Sequence, residues 1–330
     1  MSVNGHLPAA LWLSGLSWQI GLAYLIDLVL GDPRGIPHPV VIIGKGIDAA
    51  EKLLRRAIAP LVGLRASGVL LTLLIVGLTY SVAWGLVNVT SELNQWLGWA
   101  VSVWFLSTTL AVKCLRQAAD EIYQLLEAGQ LPTARQKVGW IVGRDTDRLD
   151  EPEMVRATVE TVAENIVDGI VAPLFYAFIG GLPLAMAYKA VNTLDSMVGY
   201  KNEKYRELGW FSARVDDIAN YIPARITGLL MLIAAALTGK DAGRALRTWR
   251  RDAKDHPSPN SGIPESIVAG VLGIRLGGLN FYGGRESFRA YMGEPLDELS
   301  RGHIKETTRI MLITSFLAVV TGILITLAVK

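Results

Sequence analysis

The chain reads as an all-α, polytopic integral membrane protein with about four to six membrane-embedded helices, joined by cytosolic polar segments of helix and loop. Three observations predict this. Hydrophobic residues make up 51 % of the 330 and charged residues only 19 %, below the usual quarter, and mean hydropathy is +0.34. The charge is gathered into blocks at 31–66, 113–168, 192–225 and 239–309, leaving uncharged runs long enough to cross a bilayer. One block also delivers a row of ionisable groups to the mouth of an apolar segment, where charge is costly and usually has a function.

Leu11 to Leu30 is the first span, interrupted only by Asp27 near its end. Asp27 reads as a local cap or ion-pair partner before it reads as a catalytic group. The residues from Gly31 to Pro39 (GDPRGIPHP) must be irregular, because three prolines and two glycines cannot continue a helix. A short amphipathic helix follows from Ile42 to Ala59, with Lys45, Lys52, Arg55 and Arg56 outward. Ser67 to Val87 is an uncharged span, and Trp96 to Val112 is another, with Trp96, Trp99 and Trp104 as interfacial anchors. The connection Asn88 to Gln95 has no Lys or Arg, whereas both flanking blocks are rich in them. The positive-inside rule therefore puts the flanks in the cytosol and the connection outside.

Arg116 to Gly129 reads as a soluble amphipathic helix with Ile122, Leu125 and Leu126 on one side. A polar loop then carries Arg144, Asp145, Asp147, Arg148 and Asp150. A helix starts around Pro152, since proline suits a first turn and the surrounding acids match the helix dipole. Along it Arg156, Glu160, Glu164 and Asp168 recur every four residues and share one side. Gly169 to Tyr188 is long enough to span but contains Pro173, Gly180, Gly181 and Pro183. It is either a kinked span or a re-entrant, broken helix lining a cavity. The second arrangement, paired with the short apolar run Ile226 to Thr238, would keep every polar block on one face and is the one favoured. A small-residue helix carrying Gly270, Gly273, Gly277 and Gly278 follows the loop at His256, suited to close packing. Ile310 to Val329 is the final span. No internal repeat is visible, and 1–330 reads as a single membrane-embedded domain.

Composition removes several function classes. A net charge of +2 makes no case for nucleic acid. One cysteine, Cys114, excludes an internal disulfide and a thiolate metal site. No GxxxxGK(S/T) loop, HExxH pattern or GxSxG elbow occurs. His38 and His256 sit beside prolines and read as histidines in rigid turns before they read as metal ligands. What remains is a surplus of acids near apolar segments: Asp145, Asp147, Glu160, Glu164, Asp168, Asp195, Asp216 and Asp217. Carboxylates with substrate phosphates are how Mg²⁺ is usually held. Arg144, Arg148, Arg156, Lys201, Lys204, Arg214 and Arg225 stand among them and suit phosphates or carboxylates. The mixture fits a metal-assisted reaction of a phosphorylated substrate, and it equally fits a network of structural ion pairs.

At these residues the sequence resembles a family of integral membrane proteins of cobalamin biosynthesis, the adenosylcobinamide-phosphate synthases (CobD/CbiB). The stretches that carry the resemblance begin with DLVLGDPR from Asp27 with Pro37-His38-Pro39, VGRDT from Val142, and ETVAENIVDG from Glu160. They continue with NTLDSMVGY from Asn192, DDIANYIPAR from Asp216, and HPSPNSG from His256 through Pro264-Glu265. They extend over nearly the whole chain, in the family's order.

The resemblance implies amide ligation of a propionate carboxylate of adenosylcobyric acid to (R)-1-amino-2-propanol or its O-phosphate. ATP as co-substrate and Mg²⁺ are implied with it, as is a cytoplasmic-membrane location with the site facing the cytosol. Within that reaction Glu160, Glu164 and Asp168 are the candidates for metal or amine handling. Asp145, Asp195, Asp216 and Asp217 are further metal candidates. Arg144, Arg148, Arg214 and Arg225 are candidates for phosphate or corrinoid contacts. Asn165, Asn192 and Asn220 are candidates for hydrogen bonds to corrinoid amides, although each also suits a helix cap or joint. His256 joins the substrate-binding set through its matching stretch. Two other readings stay open: a transporter of a corrinoid or other anion, and a membrane scaffold for later cobalamin-pathway enzymes.

Overall fold

In the computed structural model, which describes residues 9–32, 35 and 37–329, thirteen α-helices and one β-hairpin account for the ordered backbone. Of the irregular segment expected at 31–39, residues 33, 34 and 36 lie outside the described residues. The chain divides into two compact units.

The first unit holds residues 1–111, 172–219 and 319–330. Its helices are α1 (Ala9–Val29), α2 (Pro39–Leu53), α3 (Ala59–Leu93), α4 (Gln95–Ser107), α8 (Ala172–Val198) and α9 (Trp210–Ala219). His38 caps α2, its Nδ1 accepting from the Val40 amide at 3.2 Å, which is the rigid-turn role expected of it. Helix α2 does not stop at a loop: a π turn, Leu54–Ile58, carries it into α3. Helices α3 and α4 form a helical hairpin joined at Asn94, whose side chain accepts from the Trp96 and Leu97 amides. The apolar run expected to continue to Val112 breaks into a turn after Ser107, and α5 begins at Val112. Helix α8 is broken inside, at Gly180 and Gly181. Gly181 has φ +63° with ψ −155°, a conformation that only glycine adopts without strain. Pro183, two residues on, lacks the amide that would have repaired the ladder.

The second unit holds residues 112–171 and 220–318. It contains α5 (Val112–Glu127), α6 (Leu131–Ile141), α7 (Glu151–Ile166), α10 (Tyr221–Leu237), α11 (Ala242–Asp252), α12 (Gly262–Leu272) and the first part of α13 (Gly302–Ala328). Helix α5 buries Leu115, Ala119, Ile122 and Leu126 along one stripe, the spacing that makes a helix amphipathic. Helix α7 packs on α5, α6 and α12, and α12 packs on α10 and α11. Gly270 is what brings α11 and α12 together, because a Cβ there would lie 2.7 Å from Ala245 Cα.

The small-residue helix expected through Gly278 ends early. Gly273 takes a left-handed conformation (φ +68°) and terminates α12 after Leu272. Gly277 and Gly278 lie instead in strand β1 (Leu276–Tyr282), which pairs antiparallel with β2 (Arg285–Met292) across the two-residue turn Gly283–Gly284. Two glycines with positive φ match the right-handed twist of a tight hairpin. The all-α class stands, with this one hairpin added.

Four helical stretches carry windows long and apolar enough to cross a membrane: Pro39–Leu93, Gln95–Glu127, Glu151–Val198 and Gly302–Ala328. Helices α9 and α10, bent by 44° at their joint, make a fifth if counted as one span. Helix α10 also starts earlier than the apolar run at Ile226 indicated, since its first turn accommodates Pro223. Only 28 % of the apolar window in the first stretch is buried, and Leu70, Leu73, Leu74, Leu78 and Val82 of α3 stand exposed. Such a surface is stable only against lipid. The protein is a multi-pass membrane protein. Helix α12, with 11 residues, rises only about 16 Å and is too short to cross.

Candidate active site

Within the second unit the row on α7 becomes a buried ionic lattice. Asp150 starts the helix, its carboxylate accepting from the Glu153 amide at 2.9 Å. About three turns on, Glu160 is 4 % exposed and lies between two arginines. Arg144 Nη2 stands 2.9 Å from its Oε2, and Arg156 Nη1 stands 3.0 Å from its Oε1. The Gly277 amide donates to the same Oε1 at 2.9 Å. Gly277 can aim its amide there because it is the bulge residue of β1: the strand register shifts between Leu276 and Gly278, and Gly277 has φ +82°.

Arg156 spends the rest of its donors on the hairpin. It bonds the Gly277 carbonyl at 2.6 Å, the Leu279 carbonyl at 3.1 Å and Asn280 Oδ1 at 3.1 Å, and it pairs with Glu153. Arg144 donates to the same Asn280 oxygen. A buried charge is tolerated only when it is paired and most of its hydrogen-bonding positions are filled; here the carboxylate and both guanidinium groups are paired, and Arg144 Nε is left without a hydrogen bond. The lattice thereby ties the hairpin to α7.

One turn further along α7, Glu164 is half-buried and is held by a single hydrogen bond, from Ser261 Oγ at 2.9 Å. Unlike Glu160, it is not clamped between two arginines. Ser261 belongs to the His256–Gly262 loop, where His256 Nδ1 accepts from the Ser258 amide at 3.0 Å. Nδ1 also lies 3.2 Å from the Ser258 carbonyl, and Nε2 lies 3.5 Å from Glu265 Oε1 without forming a hydrogen bond. Glu265, on α12, is 1 % exposed, and neither carboxyl oxygen has a hydrogen-bond partner. Burial, reinforced by Glu160 and Glu164, pushes its carboxyl well above the usual carboxylate range, against the opposing pull of Arg289 and Arg144. Burial likewise holds the His256 imidazole below its ordinary value, although Ser258, Glu164 and Glu160 work the other way.

A half-open groove of ≈ 1130 Å³ runs along the outer side of the lattice. It is walled by the 144–153 loop and first turn of α7, by Arg156, by Gly277 to Phe281 and Tyr291 of the hairpin, and by Pro295 to Leu299 in part. Cations (Arg144, Arg148, Arg156, Arg275) and apolar faces (Leu279, Phe281, Tyr291) alternate around it. Its volume exceeds that of ordinary drug-sized pockets.

The expected site residues distribute as follows. Arg144 lines the groove and, with Glu160, belongs to the lattice, while Glu164 meets the His256 loop at Ser261 in the same unit. Arg148 is exposed on the groove wall. Asp145 has both carboxylate oxygens on the hairpin turn, accepting from Gly283 at 3.0 Å and Gly284 at 2.7 Å. Asp168 falls in a π turn, Val167–Val171, where the register of α7 changes, a feature that recurs at functional sites. Asn165 bonds its own helix, at Thr161 O, 2.9 Å. Asn220 is buried at the start of α10, and Arg225 stacks on Tyr221 at 3.4 Å from its ring centre. Asn192, Asp195, Arg214, Asp216 and Asp217 belong to the first unit, where Arg214 lies 3.7 Å from Asp217. Among the described residues no three His, Cys, Asp or Glu side chains are arranged to hold a metal.

Sequence reasoning missed Glu265, Asn280 and Arg289 as site residues. The signal for Glu265 was available: a lone acid inside the apolar run from Ile263 to Ile274. Asn280 and Arg289 were hidden because they lie past the expected small-residue helix, in a stretch read only as polar.

A family model described as CobD/Cbib protein matches residues 20–311. The chain is 49 % identical to cobalamin biosynthesis protein CobD of Klebsiella pneumoniae subsp. pneumoniae, over 92 % of this chain and 94 % of that protein. It is 51 % identical to CobD of Citrobacter koseri and 48 % identical to cobalamin biosynthesis protein CbiB of Salmonella typhimurium, with the same coverage of each. No solved structure matches. With a family model matched over most of its length and relatives near half identity, the chain belongs to the CobD/Cbib protein family.

Proposed function

We propose that this protein, a biosynthetic enzyme of the cobalamin pathway, joins a propionate carboxylate of adenosylcobyric acid to aminopropanol or aminopropanol phosphate, using ATP. The observation that carries the reading is the groove beside the α7 lattice: large, half apolar and rimmed by arginines, with the Ser261-bonded carboxylate of Glu164 one turn along α7 from Glu160. A corrinoid presents a broad apolar ring system with an amide and carboxylate edge. The apolar hairpin face formed by Leu279, Phe281 and Tyr291 suits the ring, and Arg144, Arg148 and Arg275 suit the edge and the phosphates.

A carboxylate accepts an amine only after one oxygen becomes a good leaving group, and phosphorylation by ATP provides that. The arginines would offset negative charge as the phosphoryl group moves, in a site whose lattice has already fixed their positions. Glu160, locked between Arg144 and Arg156, is a positioning residue in this scheme. Glu164 is the group available to take a proton from the amine. Magnesium would arrive with the ATP phosphates and need only one or two carboxylates. The exposed Asp147 and Glu298 on the groove wall are such acids, and the ion would supply charge neutralisation at the transferring phosphate. The multi-pass fold supports a cytoplasmic-membrane location with the groove facing the cytosol, where ATP is.

The test is a reaction in detergent with adenosylcobyric acid, aminopropanol phosphate, ATP and Mg²⁺, with the corrinoid product weighed by mass spectrometry. The expected result is an ATP-dependent mass gain equal to the amine minus water. Corrinoid bound without any product, with either amine, would overturn the ligase. The broken helix at Gly180 and Gly181 would then favour a transporter.

A further inference from the structure

Residues 240–255, which hold α11 and the turn after it, carry six cations against three acids. Half of these cations are spent within the second unit. Lys240 pairs with Glu306 at 2.6 Å, and Arg251 pairs with Asp252 and Glu294. Arg244 donates to the last carbonyls of α12, at Gly270 (2.6 Å) and Val271 (3.1 Å). Two of the acids are committed as well: Asp241 caps α11, accepting from the Arg244 amide at 2.7 Å, and Asp252 accepts from the Gly293 amide at 2.8 Å. Arg247, Arg250 and Lys254 remain, with Asp255 beside them. All three cations are exposed, and none forms an ion pair among the described residues. Spaced by three and four, they share the side of the helix opposite its buried Ala245, Thr248 and Asp252.

The neighbours of α11 place that face at a membrane boundary. Glu306 stands four residues before Ile310, where the apolar run of α13 begins. The Lys240–Glu306 pair therefore holds the entrance of α11 about one turn from the start of a membrane-crossing segment. Helix α10, which α11 follows after four residues, exposes Leu229, Ile233 and Leu237, an apolar stripe at helical spacing that is stable against lipid. The two helices touch: a Cβ on Gly228 of α10 would lie 2.9 Å from the Trp249 ring of α11. Cations beside a lipid-facing helix meet one counter-ion without recruiting any partner, the phosphate of an anionic lipid headgroup, and guanidinium groups fit phosphate oxygens in pairs.

We propose that the Arg247–Arg250–Lys254 face of α11 docks on anionic lipid headgroups at the cytosolic surface of the membrane. The excess of cations in the segment sets the side. Through Gly270, α11 packs on α12, and α12 packs on α7, so the contact steadies the unit that carries the Glu160 lattice. The docking does not depend on which reaction the protein performs.

Hydrogen exchange of the full-length protein in nanodiscs tests the docking. Each cation near an anionic surface is worth about fivefold. The amides of 242–255 should therefore exchange at least about fivefold more slowly in discs of phosphatidylcholine mixed with phosphatidylglycerol than in phosphatidylcholine alone. High salt should erase the difference. The triple variant Arg247→Gln/Arg250→Gln/Lys254→Gln should lose it while keeping the wild-type Tm in phosphatidylcholine discs. Equal exchange of the wild type in the two bilayers overturns the proposal, and so does slowing that survives high salt, which would mark an apolar contact. Neither inorganic phosphate nor soluble polyglutamate, added to phosphatidylcholine discs, should reproduce the slowing. If either acts as strongly as phosphatidylglycerol, the face serves free phosphate or an acidic protein and the lipid assignment falls.

Discussion

Arg144 Nη2 and Glu160 Oε2 lie 2.9 Å apart with both side chains only 6 % exposed, while Arg156 holds the other oxygen of the same carboxylate. Removing that carboxylate's charge leaves two buried guanidinium groups facing each other. Glu160→Gln should therefore destabilise the protein by about 3–5 kcal/mol, read as a lower Tm in detergent. A Tm matching the wild type would mean that solvent reaches the lattice and screens it.

Glu164 sits in the same row but outside the clamp, with Ser261 as its hydrogen-bond donor. Glu164→Gln keeps the shape and most of that bond. It should fold with an unchanged Tm and lose about 10²–10⁴-fold in amide formation. Full activity in this variant would take Glu164 out of the chemistry.

Asp145 links the loop before α7 to the hairpin through the Gly283 and Gly284 amides. Asp145→Ala should cost about 1 kcal/mol or more and speed hydrogen exchange selectively across 276–292. If Asp145 is instead a metal ligand, the change will appear as a weaker Mg²⁺ requirement curve with unaltered exchange.

The Glu265 carboxyl is pushed up on folding, so the folded state holds more protons than the unfolded state above the ordinary carboxylate range. Stability from this group is fully present at low pH and declines as pH rises through its folded value. Glu265→Gln mimics the neutral acid at every pH. Its Tm advantage over the wild type should be small near the ordinary carboxylate value and grow as pH rises above it. An advantage that does not vary with pH would mean that Glu265 is not the titrating group.

Orientation can be read with the exposed Glu92 at the end of α3. In a Cys114→Ser background, Glu92→Cys should react with a membrane-impermeant maleimide added outside intact cells. Labelling only after lysis would reverse the topology inferred from the positive-inside rule.

Much of this protein follows from local pattern, which sequence displays directly. Uncharged runs of bilayer length placed α3, α4 and α13, because lipid permits no charge along them. Proline after acidic residues placed the start of α7, and the four-residue spacing put Arg156, Glu160 and Glu164 on one side of it. What pattern cannot carry is which partner a charge meets. Glu160 and Glu164 look alike in the sequence, yet two arginines enclose one and a serine holds the other. Arg144 from the loop before the helix and the Gly277 amide of the hairpin complete the clamp on Glu160, and Ser261 of the His256 loop meets Glu164, all brought in by tertiary packing. The start of the hairpin was misread as helix because Gly277 and Gly278 suit close helix packing as well as a strand bulge, and only the strand pairing decides between them. Glu265 was passed over for the same reason: an acid in an apolar run declares a burial cost, and only the folded protein shows that it stands beside His256 with neither oxygen hydrogen-bonded.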